Sequence, residues 1–187
     1  PFFSEFQYKL THGGSLLYSW DIGMGVNFSA LYAYYLASPV NWLIILCPKK
    51  FIIEFMTILI TIKTGICGAT FTWYLNRHFE KKHFIAGVFG IFYALSGYMA
   101  AYSWNIMWLD CIWLLPLILY GAEQLVREKK GLFYCITLGL SILSNYYISI
   151  MICIFMVMYV IMQVILNPPK GVKELAATGV RFGFYSL

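Results

Sequence analysis

Charged residues are scarce in this chain of 187 residues: Asp, Glu, Lys and Arg make up 11% of the sequence, whereas hydrophobic residues make up 61%. The mean hydropathy is accordingly high, at +0.73. Water-soluble domains are typically about a quarter charged, because a folded chain needs polar side chains to cover its surface. The shortage of charge excludes a soluble globular domain. It predicts an all-α, polytopic transmembrane helical bundle that has the lipid bilayer as its solvent.

The sequence also lacks the short motifs by which metal and phosphate sites are commonly recognised. Its five cysteines are dispersed without a CxxC spacing, and His78 and His83 do not have the spacing of a zinc site. It contains no HExxH, no GxSxG and no phosphate-binding glycine loop. We therefore predict no metal-ligand set and interpret both histidines as part of a solvated loop. A divalent metal cofactor is left open.

Basic residues occur in short clusters between apolar runs. The net charge of +5 would suit nucleic acid, but no basic face remains once the loops are assigned, so no nucleic-acid partner is predicted. Under the positive-inside rule, the basic loops face the cytoplasm and the other connecting segments face outside, which gives eight Lys and Arg inside and three outside. The clusters are Arg77/Lys81/Lys82, Arg127/Lys129/Lys130 and Lys170/Lys173. The loops assigned to the inside are 76–83, 127–130 and 167–174, and the segments assigned to the outside are 1–50, 103–111 and 144–147.

Apolar runs separated by polar turns predict the membrane-embedded helices. In the second run, Ala86, Gly90 and Ala94 recur every four residues, a pattern that favours the close approach of another helix. The predicted helices are 51–75, 84–102, 109–126, 131–146 and 147–167, with the start of a further one near 175–187.

Residues 1–50 are predicted to form the first extracytoplasmic loop, ahead of a single membrane domain that is incomplete in this chain. The run 28–47 is apolar but is interrupted by Ser38-Pro39, and the residue before a proline disfavours helix. Interfacial or re-entrant helices therefore suit this run better than a straight crossing, which stays the alternative. Because the chain begins with Pro1 and not with Met, we expect it to be an internal piece of a longer protein.

Acids, amides and indoles are concentrated in the segments assigned to the outside. A carboxylate can act as general base for an acceptor hydroxyl, so Asp21 and Asp110 are the candidate catalytic residues. The structural alternatives are a turn cap for Asp21 and a helix-dipole partner for Asp110. Rings that stack on sugars and amides that bind their hydroxyls provide the candidate substrate-binding residues, although each tryptophan also suits an interfacial aromatic belt. These residues are His12, Trp20, Asn27, Trp104, Asn105, Trp108, Asn145 and Tyr146.

Lys63 and Glu123 fall inside predicted spans. A charge at the middle of a membrane costs about 2.5–3.5 kcal/mol on insertion scales, so Lys63 needs a partner. Counting inward from the outer ends of the spans gives Glu123 a comparable depth, and we predict a structural ion pair between the two. The alternative is that Lys63 reaches into an internal aqueous cavity.

Three stretches of the sequence carry a resemblance to a known family. They resemble, in family order, the bacterial YfhO family of membrane proteins, and the similarity extends over nearly the whole chain. It implies a fragment near the amino-terminal end of a much longer polytopic protein. The stretches are PFFSEFQYKLTHGGSLLYSWDIGMGVNFSALYAYYLASPVNWLIILCPKK, SGYMAAYSWNIMWLDCIWLLPLI and LGLSILSNYYISIMICIFMVMYVI.

The resemblance implies a GT-C-type glycosyltransferase of the bacterial cytoplasmic membrane, with its active face extracytoplasmic. Such an enzyme transfers a sugar from a polyprenyl-phosphate donor to a cell-envelope polymer, such as teichoic acid. The family has an acidic motif just upstream of its PFFSEF-like segment. The main catalytic base is therefore expected before Pro1, Asp21 is expected to act beside it or only to shape the site, and the fragment alone is expected to be inactive.

A lipid or polysaccharide flippase, or a transporter without covalent chemistry, is the competing interpretation. It would use Lys63 and Glu123 as relay groups within the membrane. In an enzyme, Asp110→Asn is expected to abolish glycan modification, whereas a flippase is expected to respond more to Lys63→Met.

Overall fold

The computed structural model of the chain describes residues 2–80, 83–169 and 171–186. Lys81, Lys82 and Lys170, which contribute to the predicted inside charge, lie outside the described residues. The amino-terminal part consists of short helices and a small antiparallel hairpin, in which Tyr18 pairs with Asn27 and Ser19 with Val26. Its elements are α1 (Phe2–His12), β1 (Tyr18–Ser19), β2 (Val26–Asn27), α2 (Phe28–Leu31), a π-helical segment (Tyr32–Leu36) and two 3₁₀ helices (Pro39–Leu46 and Lys49–Phe51).

The apolar run 28–47 bends sharply at Ser38-Pro39. Its two helical parts, Phe28–Leu36 and Pro39–Leu46, meet at 103°. Ser38 is extended, with ψ at 128°, because the ring of the following proline clashes with a helical conformation at the residue before it. This is the geometry of a broken span or of a re-entrant loop.

Longer helices make up the rest of the described chain. Four segments are long and apolar enough to cross a membrane, and a fifth would be added if the bent pair is one span. The prediction of an all-α, polytopic helical bundle is confirmed. The helices are α3 (Ile52–His78), α4 (Phe84–Ala94), α5 (Gly97–Tyr102), α6 (Ile106–Arg127), α7 (Leu132–Ser144), α8 (Tyr146–Leu166) and α9 (Val172–Ser186). The four segments are Lys49–His78, Phe84–Tyr102, Ile106–Arg127 and Tyr146–Leu166.

Several helix ends differ from the sequence-based bounds. Helix α3 continues to His78, and α6 begins at Ile106, inside the segment interpreted as a turn. Helix α7 has 13 residues and so rises about 20 Å, which is less than the roughly 30 Å of the hydrocarbon layer. It ends where Asn145 caps the next helix: the Asn145 side chain accepts a hydrogen bond from the Ile148 N–H at 3.0 Å.

Helix α6 lies at the centre, packed against α3, α7 and α8. A separate close contact joins α3 to α4, as the small-residue spacing predicted. Ala86, Gly90 and Ala94 are buried, and a Cβ on Gly90 would lie 2.6 Å from the Gly68 carbonyl oxygen. The main core consists of Cys111, Leu114, Ile118, Ala122, Leu125, Tyr134, Leu138, Ile152, Met156, Tyr159 and Val160.

The bundle has two chemically different ends. We call the first the hairpin end; it comprises residues 2–51, the start of α6 and the α7–α8 junction. Ile106 packs there among buried residues of the first segment, and the Asn145 amide donates to the Tyr34 carbonyl at 3.0 Å. We call the opposite end, where α3 and α6 finish, the arginine end. The segments assigned to the outside therefore share one end of the described structure. Which side of the membrane that end faces stays a prediction.

Candidate functional site

Lys63 and Asp110 form an ion pair beneath the hairpin end. Lys63 Nζ lies 2.6 Å from Asp110 Oδ2, and each side chain is 1% exposed. Lys63 also donates to the Ile106 carbonyl at 3.4 Å, and the Trp113 indole donates to Asp110 Oδ1 at 3.1 Å. The pair ties α3 to the first turns of α6.

The predicted ion pair between Lys63 and Glu123 is therefore wrong. Helices α3 and α6 run in the same direction, and Lys63 is level with Asp110, 47 residues later in the sequence. Glu123 lies 13 residues beyond Asp110 on the same helix, about 20 Å farther along the axis. Counting from the outer ends of the spans failed because the two helices do not begin at the same level: Lys63 is the twelfth residue of α3, whereas Asp110 is the fifth residue of α6.

Glu123 belongs to a second buried cluster, near the arginine end. Its Oε1 accepts hydrogen bonds from the Tyr74 hydroxyl at 2.9 Å and the Tyr159 hydroxyl at 2.5 Å, and it lies 2.8 Å from His78 Nδ1. The Gln163 amide donates to the Tyr159 hydroxyl at 3.0 Å. A carboxyl group is tolerated at this buried position because three polar side chains contact it.

Sequence reasoning missed His78, which it interpreted as a solvated loop residue. Had α3 been extended by one turn, Tyr74 and His78 would have been recognised as an i, i+4 pair on one helix face. That face packs against Glu123 of α6.

Asp21 is the exposed candidate acid. It follows the exposed Trp20 at the tip of the hairpin, where Gly23, Met24 and Gly25 all have positive φ. The Asp21 backbone N–H donates to the Ser19 hydroxyl at 3.3 Å. Its carboxylate has no ion pair among the residues that the structure describes.

Two basic side chains near the hairpin, Lys9 and His12, differ in exposure. Lys9 is buried, and its ammonium donates to the Ser15 and Tyr18 carbonyls at 2.8 and 2.9 Å. It therefore holds the hairpin in place. His12 is exposed and stacks on Tyr8 at 4.4 Å between ring centroids.

The predicted substrate-binding amides have structural partners or are buried. Asn27 caps α2 by accepting from the Ala30 N–H at 3.4 Å, and Asn145 caps α8 and reaches Tyr34. Asn105 is buried, and its side-chain nitrogen has no partner among the described residues.

The predicted substrate-binding aromatic residues include both exposed and buried groups. Trp104 is exposed and donates to the Ala101 carbonyl at 2.9 Å, and Tyr146 is exposed beside Tyr34, 5.9 Å between centroids. The Trp108 indole nitrogen is buried without a partner in the described part of the chain. The hairpin end thus presents Trp20, Trp104 and Tyr146 outward, while Trp108 faces inward.

Buried polar atoms without partners occur on two segments of this end. Besides Asn105 and Trp108 at the start of α6, the Ser38 hydroxyl and the Asn41 amide of the bent run have no partner among the described residues. An unpaired buried polar group costs about 1–3 kcal/mol. Within the described residues, no group of three or more His, Cys, Asp or Glu side chains could hold a metal ion.

Residues 1–187 match the family described as "Bacterial membrane protein YfhO". The chain belongs to the YfhO family. Together with the apolar helices, this membership makes it a membrane-embedded, multi-pass protein. A YfhO relative from Bacillus subtilis (strain 168), named "Uncharacterized protein YfhO", is 24% identical to it over 174 residues.

That alignment covers 83% of this chain and 20% of the YfhO relative. The chain therefore spans about a fifth of the relative's length. No solved structure matches the chain significantly.

Proposed function

We propose that this YfhO family chain forms part of a GT-C-type membrane glycosyltransferase. It would transfer a sugar from a polyprenyl-phosphate donor to a cell-envelope polymer, such as teichoic acid. The reaction would take place on the extracytoplasmic face of the bacterial cytoplasmic membrane. The observation that carries the proposal is the exposed carboxylate of Asp21, which has no ion pair among the described residues and lies beside Trp20 at the hairpin end.

In the transfer step, a carboxylate accepts the proton of the acceptor hydroxyl, and the hydroxyl oxygen bonds to the anomeric carbon. The bond between that carbon and the phosphate oxygen breaks, and polyprenyl phosphate leaves. Asp21 lies on an exposed turn that can approach a hydroxyl, and Trp20 and Trp104 offer exposed rings for a sugar face. In this step Asp21 contacts the acceptor hydroxyl and contributes to the removal of its proton, beside the base that the family resemblance implies.

Asp110 has a positioning role in this proposal. Its carboxylate is buried and engaged by Lys63 and Trp113, which leaves it no access to an acceptor. The pair anchors the first turn of α6, directly after the turn that bears Trp104.

The test is sugar transfer by the full-length protein in liposomes, using a radiolabelled polyprenyl-phosphate sugar and teichoic acid as acceptor. Asp21→Asn removes the negative charge at nearly constant size, and we expect transfer to fall by about 10²-fold or more, the usual contribution of a positioned acid or base.

The matched control is Glu54→Gln, which removes another exposed carboxylate near the same end, in the first turn of α3. It is expected to transfer sugar at the wild-type rate. Wild-type transfer by Asp21→Asn, or equal losses in both variants, would contradict the role of Asp21. Absence of transfer by the wild-type protein would contradict the proposal that the full-length protein is a glycosyltransferase.

The flippase alternative needs a different test from the one the sequence suggested. Asp110→Asn and Lys63→Met disrupt the same ion pair, so comparing them cannot separate an enzyme from a flippase. Measuring covalent transfer and lipid translocation in the same liposomes does separate them. A flippase moves the lipid across the membrane without breaking the bond between the sugar and the phosphate.

A further inference from the structure

A large cavity opens at the arginine end, opposite the hairpin. Its volume is about 1020 Å³, and it lies between the last turns of α3, the first turn of α4 and the last turns of α6. Ligand sites for small molecules typically occupy about 300–1,000 Å³. The cavity is thus large enough for a polar headgroup with several substituents.

Two guanidinium groups line this cavity. Arg77 lies over the Trp73 ring, 5.6 Å from its centroid, and Arg127 lies in the last turn of α6. Among the described residues neither arginine has an ion pair. A guanidinium presents a planar fork of donors that matches the oxygens of a phosphate.

Three carboxylates also border the cavity, and two of them are compensated by other groups. Glu123 accepts from two tyrosine hydroxyls and contacts His78. Glu128 pairs with Lys130 at 2.9 Å, and this hydrogen bond raises the pKa of Lys130. Glu80 is the third carboxylate, and it has no ion pair among the described residues. The lining therefore has two arginines but one carboxylate without an ion pair in the described part of the chain, which leaves an excess of positive charge.

The rest of the lining favours a ligand that combines an anionic group with hydroxyls. Asn76 and Gln124 contribute amides to the lining, and Trp73 and Tyr120 contribute aromatic rings. Helix α4 begins at this cavity, and its N-cap residue His83 makes no side-chain capping bond. The N–H groups of the first turn of a helix favour a bound anion.

We propose that this cavity binds a phosphate ester, with Arg77 and Arg127 holding the phosphate. The compound is either the headgroup of a membrane lipid or a water-soluble phosphate ester, because the cavity opens where the helices end. The site lies at the other end of the bundle from Asp21. It therefore does not depend on the proposed sugar transfer.

Calorimetric titration of the full-length protein in dodecyl maltoside, a phosphate-free detergent, tests the site. Glycerol 1-phosphate serves as the soluble probe and dihexanoyl phosphatidic acid as the lipid probe, with glycerol as the phosphate-free comparison. We expect at least one phosphate probe to bind and glycerol not to bind. Arg77→Gln and Arg127→Gln should each raise Kd by about 10-fold or more, because each removes charge-assisted hydrogen bonds.

Two further variants separate a built site from general electrostatics. Arg77→Lys keeps the charge but loses the fork of donors, and we expect it to bind less tightly than wild type. Lys173→Gln removes an exposed positive charge in α9, outside the cavity lining, and it should bind as wild type does. The thermal unfolding profile of each variant verifies that it is folded.

The two probes identify the source of the ligand. A Kd at least 10-fold lower for the lipid probe assigns the site to a lipid headgroup, and equal or tighter binding of glycerol 1-phosphate assigns it to a soluble ester. Binding of neither probe overturns the proposal. Equal weakening by Lys173→Gln and Arg77→Gln also overturns it.

Discussion

Lys63 and Asp110 are a buried pair in which each charge depends on the other. Removing one partner of such a pair leaves an uncompensated buried charge and typically costs about 3–5 kcal/mol, whereas replacing both with apolar residues is often neutral. We expect Lys63→Met alone and Asp110→Leu alone to lower the unfolding free energy of the full-length protein by that amount. The double variant should recover most of the loss. Equilibrium unfolding in mixed micelles measures the unfolding free energy of each variant.

Lys130→Met is the control for that experiment. It removes a lysine that also has a carboxylate partner, Glu128, but at an exposed position, so stability should change little. Additive losses in the double variant would mean that Lys63 and Asp110 do not stabilise each other.

At these positions the sequence indicated which charges need partners but not which partners they have. Lys63 was expected to be paired because a charge inside a span is costly. Its partner depends on the register between α3 and α6, which is a property of how the two helices pack against each other. The position of Asp21 on an exposed turn was easier to infer, because glycines lie two and four residues after it in the sequence.

Helices α3 and α4 are held at short distance by glycine. A Cβ at Gly90 would lie 2.6 Å from the backbone oxygen of Gly68, whereas a Cβ at Gly87 would meet nothing within 4 Å. We expect Gly90→Ala to lower the free energy of unfolding by about 1–3 kcal/mol, the usual cost of overpacking. Its melting temperature in detergent is the measurement.

Gly87→Ala tests the geometry on the same helix. It adds the same methyl group with the same gain in helix propensity, and we expect it to be neutral or slightly stabilising. Equal melting temperatures for the two variants would contradict the close approach at Gly90.

The type of the long helices was predictable, whereas the hairpin of β1 and β2, the break between α4 and α5 and the helix ends were not. Apolar runs long enough for a membrane predicted the long helices α3, α6 and α8, and the small-residue spacing predicted the close face of α4. The start of α6 was missed because Trp104 to Asp110 mixes polar and aromatic residues, a composition that suits a turn as well as a helix. Only tertiary contacts, such as Ile106 in the core of the first segment, decide between them.

The orientation of the whole molecule in the membrane is a prediction that cysteine labelling can test. We expect the hairpin end to face outside and the arginine end to face the cytoplasm. In a full-length protein whose native cysteines are replaced, Met24→Cys should react with an impermeant maleimide on intact cells. Met24 is 99% exposed at the hairpin.

Lys129→Cys should react only after the cells are permeabilised. Lys129 lies at the arginine end and pairs with Glu174 at 2.7 Å. The reverse labelling pattern would show that the hairpin end faces the cytoplasm. It would contradict the extracytoplasmic site of the proposed function.

The pair between Lys63 and Asp110 also has a consequence for biogenesis. During synthesis, Lys63 leaves the ribosome 47 residues ahead of Asp110. At about 5–20 residues per second, this delay is roughly 2–9 seconds. For that interval the ammonium group of Lys63 has no carboxylate partner. We therefore expect α3 to enter the lipid only after α6 has been synthesised. Nascent chains arrested before Asp110 emerges should then be retained at the translocon.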